Sequence, residues 1–556
     1  MSVLASRGAV FAVRRDTRWL VAAVAVAALV VMPVAAVLWL ALNPVENIWP
    51  HLVRTVLGHY VYNTVVLMLG VGAAVLVTGV STAWLVTMCR FPAGASSSGC
   101  CCCRCRCPPM SSLTCTRTCC STPGPCRAPS AGCSATPRAG TTGSPEVRSL
   151  GGAIMLMGLV LYPYVFLLAR AAFWSSRPPC SRPAASSGRG PWRTFFSVSL
   201  PVARPSIAVG VALALMETLN DFGTVDYFAV RTLTAGIYDT WLGMGNLGGA
   251  AQIASLMLLF VMALIGIERF GRRNIVYYQQ GRQLQPLPGY TLQGWKKYGA
   301  VVACSLPVLA GFVVPMAVLG RYAVIYFGQS WTPDFRDDAA NSFILSALAA
   351  FSALAVALLI TYARRLHGRG VTAVAARLAG LGYAVPGAVL AIGVIVPFAA
   401  FDNAVDALVR QWLGVSTGLL LSGTVFAIIF AYVVRFLAVA IGRVESSLGK
   451  VSPSMDMAAR TLGFRPLEVL LRHHLPLIRG GMLAAALIVF VDCMKELPAT
   501  LILRPFNFET LATGVYQLAS DERIGEAALG SLTIVLVGPA PVVLLSRTIS
   551  RARRPG

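Results

Sequence analysis

The stretch Met457-Ala458-Ala459-Arg460-Thr461-Leu462-Gly463-Phe464-Arg465-Pro466, completed by Leu470-Leu471-Arg472-His473-His474-Leu475-Pro476, decides the reading of this chain. Small residues on one face predict a short helix that another protein can approach closely. Gly463 supplies a turn, a second amphipathic helix follows, and Pro476 suits the first turn of a helix, where its missing N–H is not needed. The same skeleton occurs earlier: Gly188, Leu200, Pro201, Glu217 and Asp221 stand 275 residues before Gly463, Leu475, Pro476, Asp492 and Glu496. A duplicated polar loop leading into a duplicated helix indicates two halves performing one task around a shared axis.

The setting is a membrane. Of 556 residues, 56% are hydrophobic and 12% charged, with a mean hydropathy of +0.70, whereas soluble domains carry about 25% charge. Runs able to cross a hydrocarbon layer of about 30 Å as helices fall near 19–42, 62–88, 150–173, 205–225, 248–268, 299–321, 341–363, 378–400, 417–442, 480–502 and 526–546. Six belong to the second half and five to the first, so the repeat places the missing one between 97 and 145. The expected fold is an all-α polytopic membrane protein of two parallel six-helix repeats, twelve spans in all. The expected divisions are a first half over 1–270, a polar linker over 271–298 with turn signals at Pro286-Leu287-Pro288-Gly289, and a second half over 299–556.

The place of the missing span holds Cys100-Cys101-Cys102-Cys103-Arg104-Cys105-Arg106-Cys107 and further Cys, Pro, Ser, Thr and Arg up to Ser144. Eleven of the fifteen cysteines lie here, with five arginines and no acidic residue. Four consecutive cysteines cannot all point at one ion and no regular Cys-x-x-Cys pairs follow, so a metal cluster is disfavoured and no metal site is expected. A translated frameshift accounts for the text better. Leucine codons of a GC-rich gene, read one base late, become cysteine, and alanine codons become proline or arginine; 42 Arg against 4 Lys fits such a gene. The patch 175–187, with Arg177, Cys180 and Arg182, has the same character.

The net charge of +24 would suit a nucleic-acid binder, but seven of the positive residues lie in those two patches. The rest follow the positive-inside pattern. Arg7, Arg14, Arg15 and Arg18 precede the first span; Arg269, Arg272, Arg273, Arg282, Lys296 and Lys297 flank the linker; Arg364, Arg365 and Arg369 follow the eighth span; Arg547, Arg551, Arg553 and Arg554 follow the last. Loops on the other side would hold Asp334, Asp337, Asp338, Asp402, Asp406, Asp521 and Glu522. Both termini are therefore expected in the cytoplasm, with a lipid bilayer and no nucleic acid as partner. The first span is too long for a cleaved signal and reads as an uncleaved helix.

Glu217 and Asp221, like Asp492 and Glu496, stand four residues apart, which on a continuous helix puts each pair on one face. Against lipid they would be expensive, so they are expected to face a cavity, the bundle interior or a partner such as Lys495 or Arg435. They are candidates for the lining of a translocation path, with a structural ion pair as the plain alternative. His473 and His474 diverge as neighbours on a helix and make a poor metal pair.

The loop resembles the EAA loop of ABC importer permeases, in which Glu-Ala-Ala is followed after three residues by Gly and after nine more by Ile-x-Leu-Pro. Ala458, Ala459, Gly463, Leu475 and Pro476 match in place, while Met457 replaces the glutamate and His473 the isoleucine. The first copy keeps Gly188, Leu200 and Pro201 but reads Arg182-Pro183-Ala184 at the Glu-Ala-Ala positions, where proline would disrupt a helix by about 3 kcal/mol. Met216-Glu217-Thr218-Leu219-Asn220-Asp221-Phe222-Gly223, Thr234-Ala235-Gly236-Ile237-Tyr238 and Lys495-Glu496-Leu497-Pro498-Ala499-Thr500 extend the likeness to fused two-half permeases of bacterial iron(III) ABC importers. That resemblance implies an inner-membrane transporter subunit that is not itself an enzyme. It implies two ATP-binding subunits docked on the loops, a periplasmic solute-binding protein that delivers ferric iron, and no cofactor in this chain, ATP residing on the partner. Related permeases carry thiamine or aminoalkylphosphonates, and a secondary transporter is the rival from another class. Gly449-Lys450 is followed by Val451 and lacks the upstream glycine of a phosphate loop, so energy has to come from another chain.

Overall fold

The computed structural model of the protein describes residues 17–90, 147–175, 191–271, 290–368 and 370–538. The cysteine-rich segment 97–144, the expected third span, the patch 176–187, Gly188 and most of the linker lie outside the described residues. Within them, ten helices are long and apolar enough to cross a membrane. They are α1 (Thr17–Leu42), α2 (Leu57–Met88), α3 (Leu150–Ser175), α4 (Leu200–Asn220), α5 (Leu247–Gly271), α6 (Trp295–Ile325), α7 (Pro333–His367), α8 (Gly387–Leu413), α9 (Val425–Leu448) and the stretch Pro466–Met494. A shorter apolar helix, Ile524–Val537, starts where the last expected span starts. Apart from a two-residue parallel pairing of Cys89–Arg90 with Tyr290–Thr291, the described chain is helical or looped. The protein is an all-α, multi-pass membrane protein.

Several boundaries differ from the hydropathy reading, each for a local reason. Pro386 holds the chain extended at ψ 145, so α8 begins at Gly387 rather than near 378. The later start carries Asp402 and Asp406 into the helix instead of the loop expected for them. Asp402, 1% exposed, then accepts from Leu421 N at 3.0 Å, Ser422 N at 2.7 Å and Ser422 Oγ at 2.6 Å, fixing the connection that precedes α9. Asp334, Asp337 and Asp338 likewise lie in the first turns of α7.

The helices gather into two compact units, neither continuous along the chain. Among the described residues, one joins 17–39 to Asn341–Phe508; the other joins Leu40–Ala340 to 509–538. The units thus cut across the sequence halves, which are defined by repeat register rather than by packing. In the first unit, α1 is held by close backbone approach and by a ring contact. A Cβ on Gly393 of α8 would lie 2.2 Å from the Pro33 carbonyl oxygen, and Trp19 meets Tyr362 of α7 edge-on at 5.1 Å. In the second unit, α2 and α3 enclose the core, where Val71, Val75, Met157, Tyr162, Phe166 and Phe173 are almost fully buried. Trp84 caps this core, packing on Phe173 at 5.6 Å and Phe195 at 4.9 Å.

Candidate functional site

The second polar loop starts with α10 (Pro453–Thr461), whose N-terminus is capped by Ser452, its Oγ accepting from Ser454 N at 3.2 Å. The helix stops because Gly463 takes φ +82, a conformation that costs other residues about 1–2 kcal/mol. Phe464 N then folds back to Ala459 O at 3.1 Å. The two alanines divide the work of this helix. Ala459 faces inward at 5% exposure, while Ala458 faces out beside Met457 and Leu462, which are 63% and 76% exposed. After Pro466, Val469 and Leu470 turn inward and Leu467 and Leu471 outward, both about half exposed. Met457, Ala458, Leu462, Leu467 and Leu471 make an apolar surface on a loop that is otherwise basic.

The expected second amphipathic helix is largely a wide turn. Val469–His474 is π-helical, and its geometry has a cause in the sequence. Pro476 has no N–H and its ring would clash with the carbonyl four residues back. Widening the turn relieves this, and Leu475 N reaches Leu470 O, five residues back. The first half does the same at Phe195–Ser199, where Leu200 N bonds Phe195 O ahead of Pro201. The two wide turns end at Ser199 and His474, matching in the repeat. A third, Leu309–Val313, again ends one residue before an X-Pro pair, Val314-Pro315. An X-Pro pair accompanies these three turns without specifying them, since Asp239–Gly243 forms a wide turn with no proline after it and Pro33, Pro163, Pro205 and Pro397 lie inside ordinary α-helices. From Leu475 the helix α11 runs to Met494.

The four candidate carboxylates are not arranged as two helical pairs. Helix α4 stops at Asn220 and α11 at Met494, so Asp221 and Glu496 lie beyond the helix ends and share no helical face with Glu217 and Asp492. Instead each caps the short helix that follows. Asp221 Oδ1 accepts from Thr224 N at 2.7 Å and Oδ2 from Thr224 Oγ at 2.7 Å; Glu496 Oε1 accepts from Ala499 N at 3.2 Å. Glu496 also binds Arg435 of α9, Nη1 donating at 2.8 Å with both side chains under 9% exposed. Asp492 is a quarter exposed, 3.4 Å from Lys495 Nζ, and Glu217 is half-buried.

One repeated feature escapes a fixed offset because the loop between shifts it by three residues. Thr232-Leu233-Thr234-Ala235-Gly236-Ile237-Tyr238 and Thr510-Leu511-Ala512-Thr513-Gly514-Val515-Tyr516 form two short helices, each capped by its threonine. Their tyrosines flank one ring: Phe222 stacks on Tyr238 at 3.8 Å and tilts against Tyr516 at 5.5 Å. Tyr516 Oη donates to Asp226 Oδ2 at 2.8 Å, and Tyr60 Oη donates to Asp239 Oδ2 at 3.3 Å. Partial burial lifts the Asp226 carboxyl above its ordinary range, against the pull of the Tyr516 hydroxyl. Burial and then the Asp226 charge push the Tyr516 phenol upward too. Among the described residues, no group of three or more His, Cys, Asp or Glu side chains is placed to hold a metal.

No protein-family model matches the chain. Against curated proteins, it is 27% identical over 406 residues to an Fe(3+)-transport system permease of Haemophilus influenzae, covering 72% of this chain and 77% of that one. It is 24% identical over 404 residues to a ferric transport system permease of Actinobacillus pleuropneumoniae, covering 68% of this chain and 56% of the relative. A shorter match, 29% identical over 136 residues and 22% of this chain, is to a molybdenum transport system permease of Escherichia coli, of which it covers 59%. With these likenesses over most of its length, ten helices long and apolar enough to cross a membrane and paired wide turns entering Leu-Pro, the chain is similar to transmembrane permeases of ferric-iron transport systems.

Proposed function

We propose that this permease passes ferric iron, received from a periplasmic binding protein, through the inner membrane, with ATP hydrolysed on two separate subunits that dock at its polar loops. The observation that carries the proposal is the second loop: an exposed apolar surface on a short capped helix, joined through Gly463 and a wide turn to α11. Such a surface is suited to a groove on a partner, and movement there passes to the membrane helices. Leu200 and Pro201 serve as the corresponding entry in the first half, and Gly188 is the sequence counterpart of Gly463. Closure of the ATP-binding subunits would draw the two loops together and open the path toward the loaded binding protein, with both termini of this chain in the cytoplasm. Iron is preferred as cargo because the Haemophilus influenzae and Actinobacillus pleuropneumoniae relatives, matched over 72% and 68% of the chain, are named for Fe(3+) or ferric transport. Of the candidate path residues, Glu217 and Asp492 are partly exposed and stand within the membrane helices, and oxygen donors suit a hard cation. Asp221 and Glu496 would shape the path by holding its helix ends.

The test is uptake of radiolabelled ferric iron into proteoliposomes containing this chain, its ATP-binding subunit and the binding protein. Uptake is expected to require all three and hydrolysable ATP. Uptake that persists without the ATP-binding subunit would instead mark a secondary transporter, and uptake of molybdate but not iron would move the cargo assignment.

A further inference from the structure

We propose that Arg365, Asp456 and His474 form a relay that ties the docking helix to three membrane helices and carries its displacement into them. The proposal rests on the docking assignment above. Asp456 stands in the first turn of α10, and its two oxygens have different partners. Oδ2 accepts from Arg365 Nε at 2.7 Å, and Oδ1 lies 2.6 Å from His474 Nε2. Since a carboxylate only accepts, Nε2 carries the proton. The His474 ring is wholly buried and its Nδ1 has no hydrogen-bond partner, so Asp456 alone orients it by hydrogen bonding.

Each partner is anchored in a different helix. Arg365 belongs to the last turn of α7, and its guanidinium is fixed further by Leu448 O at 2.7 Å and Val451 O at 2.9 Å, at the end of α9. His474 closes the wide turn that opens α11, and its ring meets Tyr362 of α7 edge-on at 5.7 Å. Tyr362 Oη in turn donates to Pro466 O at 2.6 Å, at the start of the same turn. One carboxylate on α10 therefore holds α7, the end of α9 and the start of α11. Charge-assisted bonds are about twice as strong as neutral ones, and the guanidinium, pinned by two carbonyls, cannot follow α10 without moving α7. At the repeat-equivalent positions the first half reads Ser199 for His474 and Ser181 for Asp456, with neither an imidazole nor a carboxylate.

The experiment uses the full chain copurified with its ATP-binding subunit, measuring copurification, thermal midpoint and iron uptake per ATP hydrolysed. Asp456→Asn and His474→Leu are expected to retain the ATP-binding subunit while uptake per ATP falls about tenfold. His474→Gln, which keeps a donor, should recover most of it. The double variant should lose no more than the worse single one, because both remove one connection. Unchanged uptake per ATP, losses that add, or no recovery with glutamine would each overturn the relay. Loss of the ATP-binding subunit in these variants would overturn it as well, making the residues part of the docking surface. Failure of the docking assignment reads differently, because Ala458→Arg would then keep its ATP-binding subunit.

Discussion

Arg435→Leu, with Glu496 left in place, destabilises the membrane fold by about 3–5 kcal/mol, the penalty for stranding one member of a buried ion pair. The pair is the most enclosed charge contact among those described, with 8% and 5% side-chain exposure and an Nη1–Oε1 distance of 2.8 Å. It joins α9 to the turn after α11, so its loss frees the segment that Glu496 caps. Thermal unfolding in detergent measures this, and the joint variant Arg435→Met with Glu496→Leu should regain most of the loss, since apolar replacements of a whole buried pair are often neutral. Residual instability from the uncapped Ala499 N–H is expected to be about 1 kcal/mol. A single Arg435→Leu variant as stable as the parent would mean that Glu496 finds water there and is not buried.

The second large effect is on assembly. Ala458→Arg places a bulky charge beside the exposed Met457 and is expected to weaken binding of the ATP-binding subunit by about 2 kcal/mol or more, roughly thirtyfold. Ala458 points outward, so the stability of the isolated chain should change no more than with a surface substitution, about ±0.5 kcal/mol. Ala459→Arg makes the opposite kind of change. At 5% exposure, Ala459 packs inward, and arginine there should lower the midpoint as well as the affinity. Undiminished copurification with Ala458→Arg would remove the docking surface from this face of the helix.

Most of the fold is legible from the chain alone because transmembrane spans are written in long apolar runs. Positions are less legible where a single residue changes the backbone: Pro386 delays α8, and Pro201 and Pro476 convert a helical turn into a wide one. The loop was readable because Gly463 and Leu475-Pro476 have a fixed physical role at a fixed spacing. The carboxylates were readable as a repeated pair but not as capping groups. Four-residue spacing implies a shared face only if the helix continues, and nothing in the apolar pattern announced that it ends at Asn220 and Met494. Thr232 and Thr510 escaped because their offset differs by three from that of the loops. The Arg365–Asp456–His474 set links Asp456 to residues 91 and 18 positions away, and periodicity carries no information about such meetings.

The interleaving of the two compact units has a consequence for synthesis. Helix α1 packs with Asn341–Phe508, so its partners in Tyr362 and Gly393 do not exist when it first enters the membrane. At about 5–20 residues per second, roughly 15–60 s pass between translation of Trp39 and translation of the chain beyond Asn341. During that interval α1 must stand in lipid on its own mean hydropathy of 2.8, the highest of the ten spans. The N-terminal helix is thus selected for a waiting period, and a chain cut at the linker would have to reassemble from two fragments that each lack a helix made by the other.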